Sequence, residues 1–78
     1  MNSPLDWIEA ACARARDLTS TDAQFMLMLG IGAVMVAGYR GDVRRTRLVS
    51  FKEIREASAD PLTPAVNDIR RELMMAAN

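Results

Sequence analysis

The sequence predicts a small α+β domain, with two or three short helices packed on a two-stranded β-hairpin. Three observations predict it. Helix-start signals stand at Ser3-Pro4 and Thr63-Pro64, where a capping hydroxyl precedes a proline whose fixed φ suits a first turn. Gly41-Asp42 lies between two runs rich in apolar and β-branched residues, and glycine first in such a pair is what a type II′ hairpin turn requires. Ser50 and Glu53 make a capping-box pair directly after the second run.

The first helix should start at Pro4, with Asp6 three residues after the Ser3 cap. Leu5, Ile8, Cys12 and Ala15 recur at helical spacing, flanked by Trp7 and Leu18. Thr19-Ser20-Thr21-Asp22 breaks this helix and offers another cap.

Residues 23–39, AQFMLMLGIGAVMVAGY, hold one polar side chain, Gln24, and allow three readings. One is a single buried helix, which would turn the whole chain into an all-α bundle. Its three glycines oppose it, since each costs about 1 kcal/mol relative to alanine inside a helix. Another is a short membrane span, with Arg40, Arg44, Arg45 and Arg47 as its basic flank. The third, which the hairpin signal favours, puts a short helix at 22–29, a break at Gly30-Ile31-Gly32 and a strand from Ala33 to Tyr39. In the hairpin register Met35 faces Leu48 and Val34 faces Val49. Val34, Val36 and Val49 then share one face, and Met35, Ala37 and Leu48 the other.

After Ser50, Phe51, Ile54 and Ala57 fall on one side of a short helix. Ser58-Ala59-Asp60-Pro61 should end it, because the residue before proline avoids helical angles. Thr63 caps the last helix, whose stripe is Val66, Ile69, Leu73 and Ala76.

At 78 residues there is room for one domain, 1–78, and a core this small supplies roughly 3–5 kcal/mol, so neighbouring chains are expected to add to it. Composition narrows the function further. The chain has no histidine and one cysteine, Cys12, which excludes zinc-finger spacing, a disulfide framework and histidine-based triads. No cofactor or metal site is expected. Glu53 and Glu56 are the nearest approach to an acid–base pair, and Glu53 is already accounted for by its cap, so the chain reads as no enzyme. No charged segment followed by an apolar core opens the sequence, so no secretion signal is expected and the cytoplasm or a virion is the expected location.

Ten Lys and Arg balance ten Asp and Glu, yet the charge is uneven. Arg40, Arg44, Arg45, Arg47, Lys52 and Arg55 face only Asp42 and Glu53 over residues 40–55. Such a cluster suits an acidic partner or phosphate, or simply guards a strand edge against pairing. Phe51 to Leu73 can also be read as a helix-turn-helix with Arg70 and Arg71 towards DNA, although Asp68 and Glu72 share that helix and the turn is long.

The strand Ala33 to Tyr39, the Gly41-Asp42 turn, Arg44-Arg45-Thr46 leading into Leu48-Val49, and Ser50 with Phe51, Ile54 and Ala57 together resemble small head–tail joining proteins of tailed phages. The matching stretch, about Gly32 to Ala57, is a third of the chain. The apolar segment at 22–29 and the helix after Pro61 depart from that pattern. The resemblance implies a ring-forming structural subunit without catalytic residues.

The expected function is accordingly protein–protein interaction, as a structural subunit of a phage-like or other multi-chain assembly and as a homo-oligomer in the simplest case. Phe25, Met28 and Met35 are the expected apolar anchors, with Arg44, Arg45 and Arg47 as a charged rim. The rival functions are a small DNA-binding regulator using Arg70 and Arg71, and a single-span membrane subunit.

Overall fold

The computed structural model describes residues 3–76. Helix α1 (Pro4–Leu18) leads into three strands, β1 (Gln24–Leu29), β2 (Ala33–Arg40) and β3 (Val43–Ser50), followed by α2 (Phe51–Glu56) and α3 (Leu62–Ala76). The strands form one antiparallel sheet in the order β1-β2-β3. The class is α+β, and the expected two-stranded hairpin is a three-stranded meander.

The added strand is a correction at 22–29, where a short helix was expected. Met, Leu and Gln are good helix formers, so propensity alone favours helix there. The segment is six residues long and alternates faces. Phe25 and Leu27 turn towards the helices, and Met26 and Met28 turn away. Pairing with β2 along its whole length satisfies the main-chain groups of Gln24, Met26 and Met28 and outweighs a weak helical preference. Gly30-Ile31-Gly32 is consequently the turn of a second hairpin. Gly32 sits at φ +85°, the backbone setting that the third position of a type II turn requires. The Gly30 amide donates to the Ala33 carbonyl at 2.9 Å and closes that turn.

The second hairpin follows the expected register, with Met35 opposite Leu48 and Val34 opposite Val49. Gly41 has φ +58°, and no described residue other than glycine has positive φ, which matches a type II′ turn at Gly41-Asp42.

Helix α1 begins with a full capping box. The Asp6 amide donates to Ser3 Oγ at 3.3 Å, and the Ser3 amide donates to Asp6 Oδ2 at 3.1 Å. Its buried stripe is Trp7, Ala11 and Ala15, rotated from the expected one, and Leu5 is exposed. The small alanines let α1 approach its neighbours closely, while the Trp7 ring fills the space at one end. At α2 the Glu53 amide donates to Ser50 Oγ at 3.0 Å, so the cap holds, although the Glu53 carboxylate meets the Ser50 hydroxyl rather than its amide.

Helix α3 begins one residue before the expected cap. Asp60 Oδ1 accepts from the amides of Leu62 (2.8 Å) and Thr63 (3.2 Å), and the Thr63 hydroxyl donates to Asp60 Oδ2 at 2.6 Å. A carboxylate at that place serves an orphan amide and the positive end of the helix together. Pro61, expected only to stop α2, therefore also leads into α3.

Both long helices lie on the same face of the sheet. α3 crosses β2 and β3 and packs beside α1, which covers β1; α2 packs on β3. The core beneath them comprises Trp7, Ala11 and Ala15 of α1, Phe25, Val34, Val36 and Val49 of the sheet, Ile54, and Leu62, Val66, Ile69 and Leu73 of α3. Arg14 Nε donates to Asn67 Oδ1 at 2.9 Å and ties α1 to α3. The Trp7 indole N–H is buried without a hydrogen-bond partner among the described residues.

Gly38 is where α3 comes closest to the sheet. A Cβ there would lie 2.6 Å from Ile69 Cγ2 and 2.9 Å from Leu73 Cδ1. Gly38→Ala is expected to lower stability by about 1–3 kcal/mol through overpacking. Denaturant unfolding followed by Trp7 fluorescence measures this, and an unchanged midpoint would mean that α3 is not seated on β2.

Candidate functional site: the uncovered face of the sheet

Strand alternation assigns each residue of the sheet to one of two faces. On the helix-covered face the cross-strand rows are Phe25–Gly38–Arg45, Leu27–Val36–Arg47 and Leu29–Val34–Val49. On the opposite face they are Gln24–Tyr39–Arg44, Met26–Ala37–Thr46 and Met28–Met35–Leu48. Among the described residues no helix lies over this second face.

Antiparallel sheets with one face in water normally place polar side chains on that face. Here only one end follows the rule. The row Gln24–Tyr39–Arg44 is polar, the middle row is mixed, and the row Met28–Met35–Leu48 is wholly apolar. Met28 is 40% exposed and Leu48 is 67% exposed. Ile31, fully exposed at the tip of the β1–β2 turn, extends the patch, and a shallow apolar depression runs between Met28, Met35, Leu48 and that turn. Three methionines (26, 28 and 35) give this surface side chains that adapt to a partner's shape.

The expected contact residues divide according to face. Met28 and Met35 lie on the uncovered face, with Arg44 at its polar end. Phe25 does not. It is 8% exposed and packs beside Gly38 beneath α3, so it is a core residue rather than a free anchor. Arg45 and Arg47 point to the helix side. Arg47 is held within the chain, its Nη1 3.0 Å from Asp68 Oδ2 and its Nη2 2.9 Å from Glu72 Oε2. Arg45 Nη1 donates to the Arg44 carbonyl at 2.9 Å. Met26, Ile31 and Leu48 complete the patch. Leu48 was already on the Met35 face in the hairpin register, whereas Met26 and Ile31 join it only because 24–29 is a strand and 30–32 is its turn.

Arg70 and Arg71 are exposed on α3, and Arg71 Nη2 is 3.0 Å from Asp68 Oδ1. α2 and α3 each make their main contacts with the sheet or with α1 rather than with each other, so they do not form a helix-turn-helix pair. No helix among the described residues is long and apolar enough to cross a membrane, and the segment considered for a span is the β1–β2 hairpin. Comparisons with protein-family models, with curated proteins and with solved structures return no match.

The Arg47 pairs join β3 to α3, yet all three side chains are more than a third exposed, so solvent screens them. Arg47→Ala should cost less than about 1 kcal/mol, with the loss shrinking as salt is raised. Urea midpoints of both proteins at low and high salt test this. A loss of several kcal/mol, indifferent to salt, would contradict it.

Proposed function

We propose that this protein is a non-enzymatic interaction subunit, which presents the uncovered face of its sheet to another protein chain within a multi-chain assembly. The observation that carries this reading is the apolar row Met28–Met35–Leu48, left in water with Ile31 beside it. An apolar row on a sheet face that would ordinarily carry polar side chains points to a contact site. The polar row Gln24–Tyr39–Arg44 at one end of the face provides a wettable rim around the apolar centre.

The hairpin and the capped helix behind the head–tail joining resemblance are both present, from Ala33 through Glu56. A ring-forming subunit of a virion or of a cytoplasmic assembly is the most concrete form of this reading. In such a ring the face would be covered by protein on every copy, which removes the cost of leaving it in water.

Light scattering after size exclusion in detergent-free buffer, from micromolar to millimolar protein, tests the proposal. The native chain should show a mass above that of one copy, rising with concentration. Met35→Asp with Leu48→Asp should reduce that mass while changing stability little, since neither side chain is in the core. A mass of one copy throughout, or an assembly unaffected by the double variant, would sink the reading.

A further inference from the structure

The sheet has two free edges, and they are built differently. The β3 edge carries Arg44, Arg45 and Arg47, charges that discourage another strand from pairing. The β1 edge carries none. From Ala23 to Tyr39 there is no charged residue, and β1 itself is QFMLML.

Main-chain geometry shows which groups face outward from that edge. In an antiparallel ladder, hydrogen-bonded and non-hydrogen-bonded pairs alternate. The Gly30 amide bonds to the Ala33 carbonyl, so Met28, Met26 and Gln24 direct their amides and carbonyls to β2. Phe25, Leu27 and Leu29 direct theirs to the open edge. Phe25 confirms the assignment, because its outward amide donates to Thr19 Oγ1 at 3.0 Å and its carbonyl lies 3.4 Å from the same hydroxyl. One step further, the Ala23 carbonyl accepts from the Ser20 amide at 2.8 Å. The connection from α1 therefore seals the first part of the edge. Leu27 and Leu29 receive no such cover from the described residues, and Leu29 is 67% exposed.

We infer that β1 pairs antiparallel with β1 of a second copy, across a two-fold axis at Met28. This goes beyond the face-docking reading, because it concerns the open edge of β1 rather than the uncovered face, and the two stand or fall separately. Two-fold antiparallel pairing keeps the sum of paired residue numbers constant. Centring on Met28 sets Leu27 of each copy against Leu29 of the other. The two open amides and two open carbonyls of each chain then satisfy those of its copy through four hydrogen bonds. Centring on Leu27 would instead drive Leu29 against Phe25, whose edge groups Thr19 already holds. The Met28 register thus uses the open groups and leaves the sealed ones undisturbed.

Side chains agree with it. Leu27 and Leu29 meet on the helix side, and Met28 meets its counterpart on the uncovered face, with no like charges brought together. The sheet becomes six strands wide, and the apolar row Met28–Met35–Leu48 continues into that of the copy. A pairing of β3 edges would set arginines against arginines.

Crosslinking and amide exchange test the inference. Met28 faces its counterpart in a non-hydrogen-bonded pair, where Cα atoms are about 4.5 Å apart, within disulfide reach. Met28→Cys in a Cys12→Ala background should form a disulfide-linked dimer under mild oxidation, and Met35→Cys in the same background should not. Hydrogen exchange at the Leu27 and Leu29 amides should slow by about tenfold or more as the protein is concentrated. Leu29→Lys, at an exposed edge position, should abolish both effects with helix content intact. Under edge pairing the Met35→Asp, Leu48→Asp variant still dimerises. Fast exchange at Leu27 and Leu29 in an associated protein, or linkage through position 35 alone, would overturn edge pairing and leave face docking standing. An edge dimer whose further assembly ignores the Met35 and Leu48 substitutions would do the reverse.

Discussion

Two long helices laid side by side cover only one face of the three-stranded sheet, and most features of this molecule follow from that arrangement. α1 and α3 both lie on the same side, where they enclose Phe25, Val34, Val36 and Val49. Nothing remains in the described chain to cover the other side. Close packing on the covered face depends on Gly38, because any side chain there would hold α3 off the sheet. Helix α3 settles directly onto β2 and buries Ile69 and Leu73 almost completely. The core is dense but one-sided.

The opposite face shows how composition and topology interact. Half of the residues are apolar, which is ordinary for a globular protein. In a strand, however, every second residue faces the same way. An uninterrupted apolar run such as 25–29 must therefore send part of itself away from the core. Met26 and Met28 are the part sent outward, and Met35 and Leu48 join them by register. The same alternation separates the arginines of β3. Arg44 goes to the uncovered face, while Arg45 and Arg47 go to the helix side, where Arg47 meets Asp68 and Glu72. A basic cluster in sequence is thus divided between two surfaces in space.

Much of this was legible beforehand wherever a signal was local. The caps at Ser3 and Ser50 and the glycine-first turn at Gly41-Asp42 stand where residue chemistry puts them, since each involves neighbours a few positions apart, and the Val34–Val49 register follows from that turn. The stripe of α3 reads correctly through Val66, Ile69 and Leu73, while Ala76 is exposed at its end. The segment at 24–29 did not read as a strand, because its residues favour helix and its partner strand lies beyond a turn. Phe25 passed for a surface anchor for the same reason. Without a strand assignment its parity was unknown, and parity alone distinguishes it from Met26 and Met28.

The amino-acid sequence by itself determined the α+β class, the starts of the first two helices, the central hairpin with its register, and an excess of apolar residues in the middle third. Those properties depend on capping groups, φ preferences and contacts across a single turn, all encoded within short spans. Tertiary structure decided that β1 is a strand, which of its residues reach the core, and which main-chain groups stay open at Leu27 and Leu29. These outcomes depend on which segment pairs with which and on where two helices come to rest. Pairing energies gathered over the whole sheet outweigh the small preferences of individual residues.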